Sequence, residues 1–234
     1  MKLGIMQPYI FPYTGYFQLI NAVDRFVVYD DVAFIKQGWI NRNRILLNGA
    51  EHIFTVPLQN ASSFTTIAQT LINQDLYAGW RTKFFKTLIQ AYIKAPFFAD
   101  TFDLITNVFN RPCNTISELA SASIFETCKY TGINTEFILT ATGYGNNNLK
   151  AEYRVIDICK KEKADIYINP VGGKALYSKA DFEQAGLVLN FIRPGNISYK
   201  QFNHTFVPGL SVIDVMMYNS PGEIKGFLNE YGLE

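Results

Sequence analysis

The sequence lacks most of the features that usually announce a function. Its three cysteines, Cys113, Cys128 and Cys159, fit neither a disulfide framework nor a zinc-ligand spacing, so buried free thiols in a reducing compartment are expected. Its two histidines, His52 and His204, have no carboxylate or cysteine at ligand spacing, and no protein-built metal site is expected. No apolar run approaches ~18 residues, the length a membrane span needs. The opening "MKLGIMQP" has no apolar core of a secretory signal, and a cytoplasmic location is expected. Charge of one sign is also scarce. Lys and Arg number 21 against 20 Asp and Glu, with no cationic stripe, which argues against nucleic acid as the partner. Neither a GxGxxG nor a Walker lysine is present, and no Ser-His-Asp or Cys-His dyad can be read.

Apolar residues make up 48% of the 234, enough to build a core without metals or disulfides. Leu3 to Met6 reads as a strand. Tyr16, Leu19, Ile20 and Val23 then follow at helical spacing, with Thr14 as N-cap and Asp24 as the stop. "RFVVYDDV" reads as a second buried strand, completing a parallel βαβ pattern. Asn48-Gly49 between two apolar stretches predicts a hairpin. Trp80, Phe84, Leu88 and Tyr92 mark a helix, Pro96 and Pro112 punctuate the region, and Gly132 ends a further helix. "TEFILTAT" reads as a strand, and "GYGNNN", Gly143 to Asn148, as a mobile loop. Ala151, Val155, Ile158 and Cys159 line a helix, "DIYIN" and "LVLNFI" are strands, and two short helices close the chain, the second near Pro221. The architecture expected is α/β in one domain over 1–234: a mainly parallel, Rossmann-like sheet, a helical insertion over about 75–132, and a C-terminal helical cap.

Ligands of open parallel sheets bind beyond the carboxyl ends of the strands. Three segments follow predicted strands directly and should share that edge. The first is the turn from Gln7 to Gln18, where Tyr9, Tyr13 and Tyr16 offer hydroxyls and Gly15 permits close approach at a helix start. The alternative is a rigid aromatic corner. The second is "YDDVAFIKQGWINRNRIL". There Asp30 and Asp31 are candidates for acid–base or hydroxyl contacts, Lys36, Arg42 and Arg44 for anions, Trp39 for stacking, and Asn41 and Asn43 for the opposite side of the strand. The alternative is an ion-pair network joining the aspartates to the arginines. The third is "YINPVGGKALY", where Asn169, Gly172, Gly173, Lys174 and Tyr177 surround a loop suited to backbone approach, or form a plain turn. His204 in "SYKQFNHTF" is a candidate general base, although a lone histidine is more often structural.

Two resemblances follow from these residues. Tyr13-Thr14-Gly15-Tyr16 is placed like the His-x-Gly-His turn of the nucleotidyltransferase and pantothenate-synthetase-like superfamily, with tyrosines for both histidines, which implies a nucleotidyltransferase-like sheet. More specifically, "MQPYIFPYTGYFQLINAVDRFVVYDDVAFIKQGWINRNRIL", "YRVIDICKKEKADIYINPVGGKALY" and "YKQFNHTFVPGLSVIDVMMYNSPGEI" resemble the WbqC-like family over essentially the whole chain. Members of that family are bacterial and often encoded with O-antigen and other surface-polysaccharide genes. The resemblance implies a role in surface-glycan assembly, with glycan-assembly enzymes as partners, but carries over no catalytic residues and no cofactor. The expected ligand is a nucleotide or nucleotide-sugar. The expected activity is acyl or aminoacyl transfer to a nucleotide-linked amino sugar, or alternatively non-catalytic binding of a sugar nucleotide or partner.

Overall fold

The computed structural model describes residues 1–149, 151–202 and 205–234. In chain order, β1 (Lys2–Met6) leads into α1 (Thr14–Asn21) and β2 (Arg25–Val28), and β3 (Arg42–Leu47) pairs with β4 (Ala50–Thr55) as a separate hairpin. Three helices follow, α2 (Gln74–Tyr92), α3 (Phe98–Asn110) and α4 (Ile116–Thr131). Next come β5 (Glu136–Ile138), α5 (Ala151–Lys161), β6 (Ile166–Pro170), α6 (Lys179–Gln184) and β7 (Val188–Pro194). The chain closes with α7 (Val212–Tyr218), α8 (Pro221–Phe227) and β8 (Tyr231–Leu233).

The six-stranded sheet has the order β5-β2-β1-β6-β7-β8, parallel except for β8, which runs antiparallel to β7. Strand alternation sends side chains to two faces, and each face has its own core. Leu3, Ile5, Val27, Tyr167, Leu189 and Phe191 pack with α5 and α6. Phe26, Val28, Ile168 and Ile192 face the other way, toward α1, α4, α7 and α8. The protein is therefore a mixed α/β structure with a mostly parallel central sheet covered by helices on both sides.

Local chemistry accounts for the boundaries. Asn48 and Gly49 take φ of 52° and 77°, as the two-residue hairpin requires. α4 opens with a capping box, Thr115 with Glu118, and stops at Gly132 with φ 73°. α8 repeats the device with Ser220 and Glu223, followed by Pro221 at its first turn. Several expected boundaries shift. Tyr13 rather than Thr14 is the N-cap of α1, and no side chain caps that helix. β2 ends at Val28 instead of continuing to Val32, because Asp30 and Asp31 turn inward to buried partners. α2 begins at Gln74, capped by the side chain of Asn73. β8 went unforeseen, since three residues carry too little pattern to be read.

The loop expected to be mobile is joined to α5 through Asn146. Asn146 is buried, accepts from Arg154 Nε at 2.9 Å and donates to Asp157 at 2.7 Å. All three cysteines are free thiols, with Cys128 and Cys159 buried. Burial pushes the Cys159 thiol up to about 12, so it stays protonated at neutral pH. Among the described residues no helix is long and apolar enough to cross a membrane.

A buried carboxylate ties α7 to the body. Asp214 is fully buried and accepts from Tyr199 at 2.6 Å, Tyr92 at 2.8 Å and Gln201 at 2.8 Å. Its partners are neutral, and burial raises its pKa above the usual carboxylate value while those hydrogen bonds pull it down. A raised folded-state pKa means the associated stability is full below the unfolded value, about pH 4, and is lost as pH climbs through the folded pKa. Asp214→Asn is therefore expected to flatten that part of the stability–pH curve, measured as urea midpoints at successive pH values. An unchanged slope would remove Asp214 as its source.

Candidate functional site

In the parallel part of the sheet, the chain steps one way from β1 to β2 and β5, and the other way from β1 to β6 and β7. The strand order thus reverses between β1 and β6. At such a reversal the connections leave on opposite faces and open a crevice at the carboxyl ends of the strands. The three segments singled out above follow β1, β2 and β6, so they begin at this same edge.

The Pro8–Pro12 turn that leaves β1 is braced from outside. Phe11 sits at φ 41°, an uncommon conformation for a residue with a side chain. Asn43 Nδ2 donates to Ile10 O at 3.1 Å and Phe11 O at 2.7 Å, Ser123 Oγ accepts from Phe11 N at 2.9 Å, and Ser211 Oγ donates to Phe11 O at 2.7 Å. Asn43 thus holds the turn from β3. Asn43→Ala leaves Ile10 O without its side-chain donor and Phe11 O with Ser211 as its remaining one, and is expected to cost about 1–3 kcal/mol, read from urea unfolding. A loss below about 1 kcal/mol would mean the turn keeps its shape without it.

Tyr16 and Gln18 point into the structure. Tyr16 is buried, donates from its hydroxyl to Gln7 O at 2.9 Å, and packs on Tyr9 with ring centroids 5.6 Å apart. Gln18 Nε2 donates to Phe227 O at 2.7 Å and Glu230 O at 2.8 Å, fastening α8 to α1. Tyr13 turns outward. Its ring lies across Gly15, where a Cβ would collide with it and would come within 2.8 Å of Pro194. Gly15 is needed for that close approach.

Across the crevice, Asn169 is buried at the end of β6 and accepts from Tyr167 Oη at 3.0 Å. Gly173 passes directly over it, so close that a Cβ would overlap the Asn169 amide nitrogen. Between these two walls lies a cavity of about 490 Å³, within the usual size of a small-ligand site. Gln7, Tyr9 and Tyr13 line one side, Asn169, Gly172, Gly173 and Tyr177 the other, and Trp39 and Tyr29 complete it. Burial raises the pKa of Tyr9 and Tyr177, and takes Tyr29 to about 12 against the opposing pull of the Arg154 guanidinium. These phenols therefore stay protonated at neutral pH. They are hydrogen-bond donors, not bases.

The arginines gather around Trp39. Arg42 and Arg44 place their guanidiniums 5.5 and 5.3 Å from the Trp39 ring centre. Arg42 donates to the backbone carbonyls of Gln37 and Gly38. Arg44 is held by both Glu51 oxygens at 2.9 Å and by Gly209 O at 3.0 Å. Neither pairs with Asp30 or Asp31, so the ion-pair network considered from the sequence does not form. With two guanidiniums and one carboxylate, the cluster keeps one net positive charge. Arg44, Asn43 and Trp39 line a second hollow of about 270 Å³ that shares Tyr9 and Tyr13 with the larger cavity.

The aspartates lie behind this surface. Asp30 is buried and accepts from Ser117 Oγ at 2.8 Å, Thr140 Oγ1 at 2.8 Å and Ala141 N at 3.1 Å, joining β2 to α4 and to the segment after β5. Asp31 pairs with Arg154, and both side chains are nearly fully enclosed. Arg154 also donates to Asn147 at 2.7 Å and stacks 4.9 Å from the Tyr29 ring centre, so it backs a wall of the cavity. Asn41 is buried against Val56 O. Lys174 pairs with Glu234 at 2.8 Å, and Lys36 is exposed. His204 lies outside the described residues.

Two contributors were missed from the sequence. Tyr29 is the last residue before Asp30, at the same strand end, and its position alone could have flagged it. Arg154 falls three residues after Ala151 and four before Ile158, on the apolar face of its helix. A charged residue there is a signal, because burial of an ion demands a partner.

Comparison with known proteins places the sequence in a family. The chain is 29% identical over 230 residues to the uncharacterised Mycobacterium tuberculosis protein Rv1507c, covering 97% of each chain. No solved structure matches. Residues 7–226, which include every wall of the cavity except the Ile5–Met6 end of β1, match the WbqC-like protein family. The chain therefore belongs to the WbqC-like protein family.

Proposed function

We propose that this protein binds a nucleotide-linked amino sugar and acts in the cytoplasmic assembly of a bacterial surface polysaccharide of the O-antigen type, in acyl or aminoacyl transfer to that sugar. The observation that carries the reading is the lining of the 490 Å³ cavity at the strand-order reversal, where four tyrosines and Trp39 are joined by the side-chain amides of Gln7 and Asn169. Aromatic faces suit a sugar ring or nucleobase, and Gln7, Asn169 and the tyrosine hydroxyls suit its hydroxyl groups. The net positive charge around Trp39 supports a diphosphate lying toward Arg42 and Arg44. The order β5-β2-β1-β6-β7 is in keeping with a Rossmann-like, nucleotidyltransferase-like arrangement. With Tyr13 and Tyr16 where that superfamily has histidines, nucleotidyl transfer itself has little support.

Isothermal titration against ATP, CTP and a panel of UDP- and dTDP-amino sugars tests the reading. The expected result is saturable heat with a sugar nucleotide, accompanied by fluorescence quenching that Trp39→Phe removes. Absence of heat from every member of the panel, with folded protein, would end it.

A second reading, binding without catalysis, is favoured by a specific observation. Among the described residues lining the cavity, the titratable groups are phenols held protonated, and Asp30 and Asp31 are engaged elsewhere. Transfer to an amine requires a proton acceptor, and His204 and Asp31 are the candidates. A coupled turnover assay separates the readings: loss of product in His204→Ala with binding retained supports catalysis, while product formation unchanged in both His204→Ala and Asp31→Asn supports the binder.

A further inference from the structure

A third hollow, of about 340 Å³, opens beside the first two, between the start of α1, the segment following β7 and the start of α7. Tyr13 lines all three hollows, and Pro194 is shared by this one and the 490 Å³ cavity. The Tyr13 ring, held against Gly15 and Pro194, is thus the partition between two chambers. Both are lined by a mixture of polar and apolar groups. In the third hollow Ile197, Phe206 and Leu210 supply apolar wall beside Asn196, Ser198 and Tyr199. One of its polar groups differs from the rest. Gln18, fully buried, lines this hollow, and its side-chain oxygen has no hydrogen-bond partner among the described residues, since its nitrogen alone serves α8. A buried amide oxygen left without a donor is costly and is usually satisfied.

We propose that this hollow is a subsite for a short acyl group attached to nitrogen, with the alkyl part on the apolar walls and the amide N–H directed to Gln18 Oε1. The proposal rests on the reading of the larger cavity as the sugar-nucleotide site only for its biological sense. The acyl group can belong to an N-acylated sugar that spans both chambers past Tyr13, or to a separate molecule beside it.

The test uses the whole chain, ¹⁵N-labelled, with butyramide as the probe. Butyramide is expected to shift the amides of Gly195, Asn196 and Ser198 saturably. Ser198→Trp, a substitution at an exposed position on the rim of the hollow, is expected to abolish the shifts at Gly195 and Asn196, and Trp39→Ala is expected to preserve them. The amide spectrum itself reports whether the Ser198→Trp variant is folded; should it not be, Gln18→Leu takes its place and is expected to weaken binding at least tenfold. No saturable shift at these amides, or shifts indifferent to the variants, overturns the subsite. Competition between butyramide and a UDP-N-butyryl amino sugar assigns the acyl group to the sugar ligand, and simultaneous binding with the unacylated UDP-amino sugar assigns it to a second molecule. Butyramide binding with no sugar-nucleotide binding overturns the function proposed above and leaves the subsite standing.

Discussion

Arg154→Ala is expected to destabilise the protein by about 3–5 kcal/mol, the usual consequence of stranding a buried charge. Asp31 shows why. Its side chain is 4% exposed, one carboxylate oxygen depends on Arg154, and the other is buried without a partner among the described residues. Burial already raises the Asp31 pKa, with Arg154 pulling the other way. A carboxyl whose folded pKa is raised favours the folded state below its unfolded value and loses that contribution as pH rises. Removing Arg154 takes away the opposing pull and lifts the folded pKa further. The deficit of Arg154→Ala should therefore be small near pH 4 and grow toward neutrality. Urea unfolding across that range measures it, and Arg154→Ala combined with Asp31→Asn should recover much of the loss at neutral pH. A deficit that does not change with pH would show that lost packing on Tyr29 and the Asn146–Asn147 loop, and not the stranded charge, is responsible.

The largest expected effect on binding is that of Trp39→Ala. Trp39 lines both the 490 and the 270 Å³ hollows and holds two guanidiniums against its ring, yet it is 37% exposed and belongs to neither core. Stacking of a base or sugar on such a ring contributes about 1–3 kcal/mol, so sugar-nucleotide affinity should fall roughly 5- to 150-fold. Stability should change by less than about 1 kcal/mol, because little core packing is lost. Titration calorimetry and urea unfolding on the same preparation separate the two. Unchanged affinity would move the ligand away from this wall, and a large loss of stability would make Trp39 part of the scaffold.

Much of this organisation was legible beforehand, and the reasons are local. The hairpin at Asn48-Gly49, the stop at Gly132 and the helix starting at Pro221 each depend on backbone preferences that a few residues carry by themselves. Parallel β1, β2 and β6 also put their following loops on one edge, so the neighbourhood of Tyr13, Trp39 and Gly173 could be anticipated. Roles within that neighbourhood could not. Asn43 and Arg44 are adjacent and equally polar, yet one braces the buried turn after β1 and the other pairs with Glu51 beside the Trp39 ring. Asp30 and Asp31 look alike as a pair, yet their partners lie 87 and 123 residues away.

By itself, the sequence determined the class of the fold, the edge of the sheet where the three candidate segments meet, and the exclusion of the common phosphate loops and nucleophilic dyads. Those properties follow from periodicity, turn residues and composition, which act over a few neighbouring positions. Tertiary structure alone decided that the strand order reverses at β1 and β6, that Tyr29 and Arg154 form and back one wall, and that Tyr13 stands between adjoining hollows. These depend on which distant side chains meet once both faces of the sheet are covered, and a buried polar group takes whichever partner the packing brings within hydrogen-bond reach.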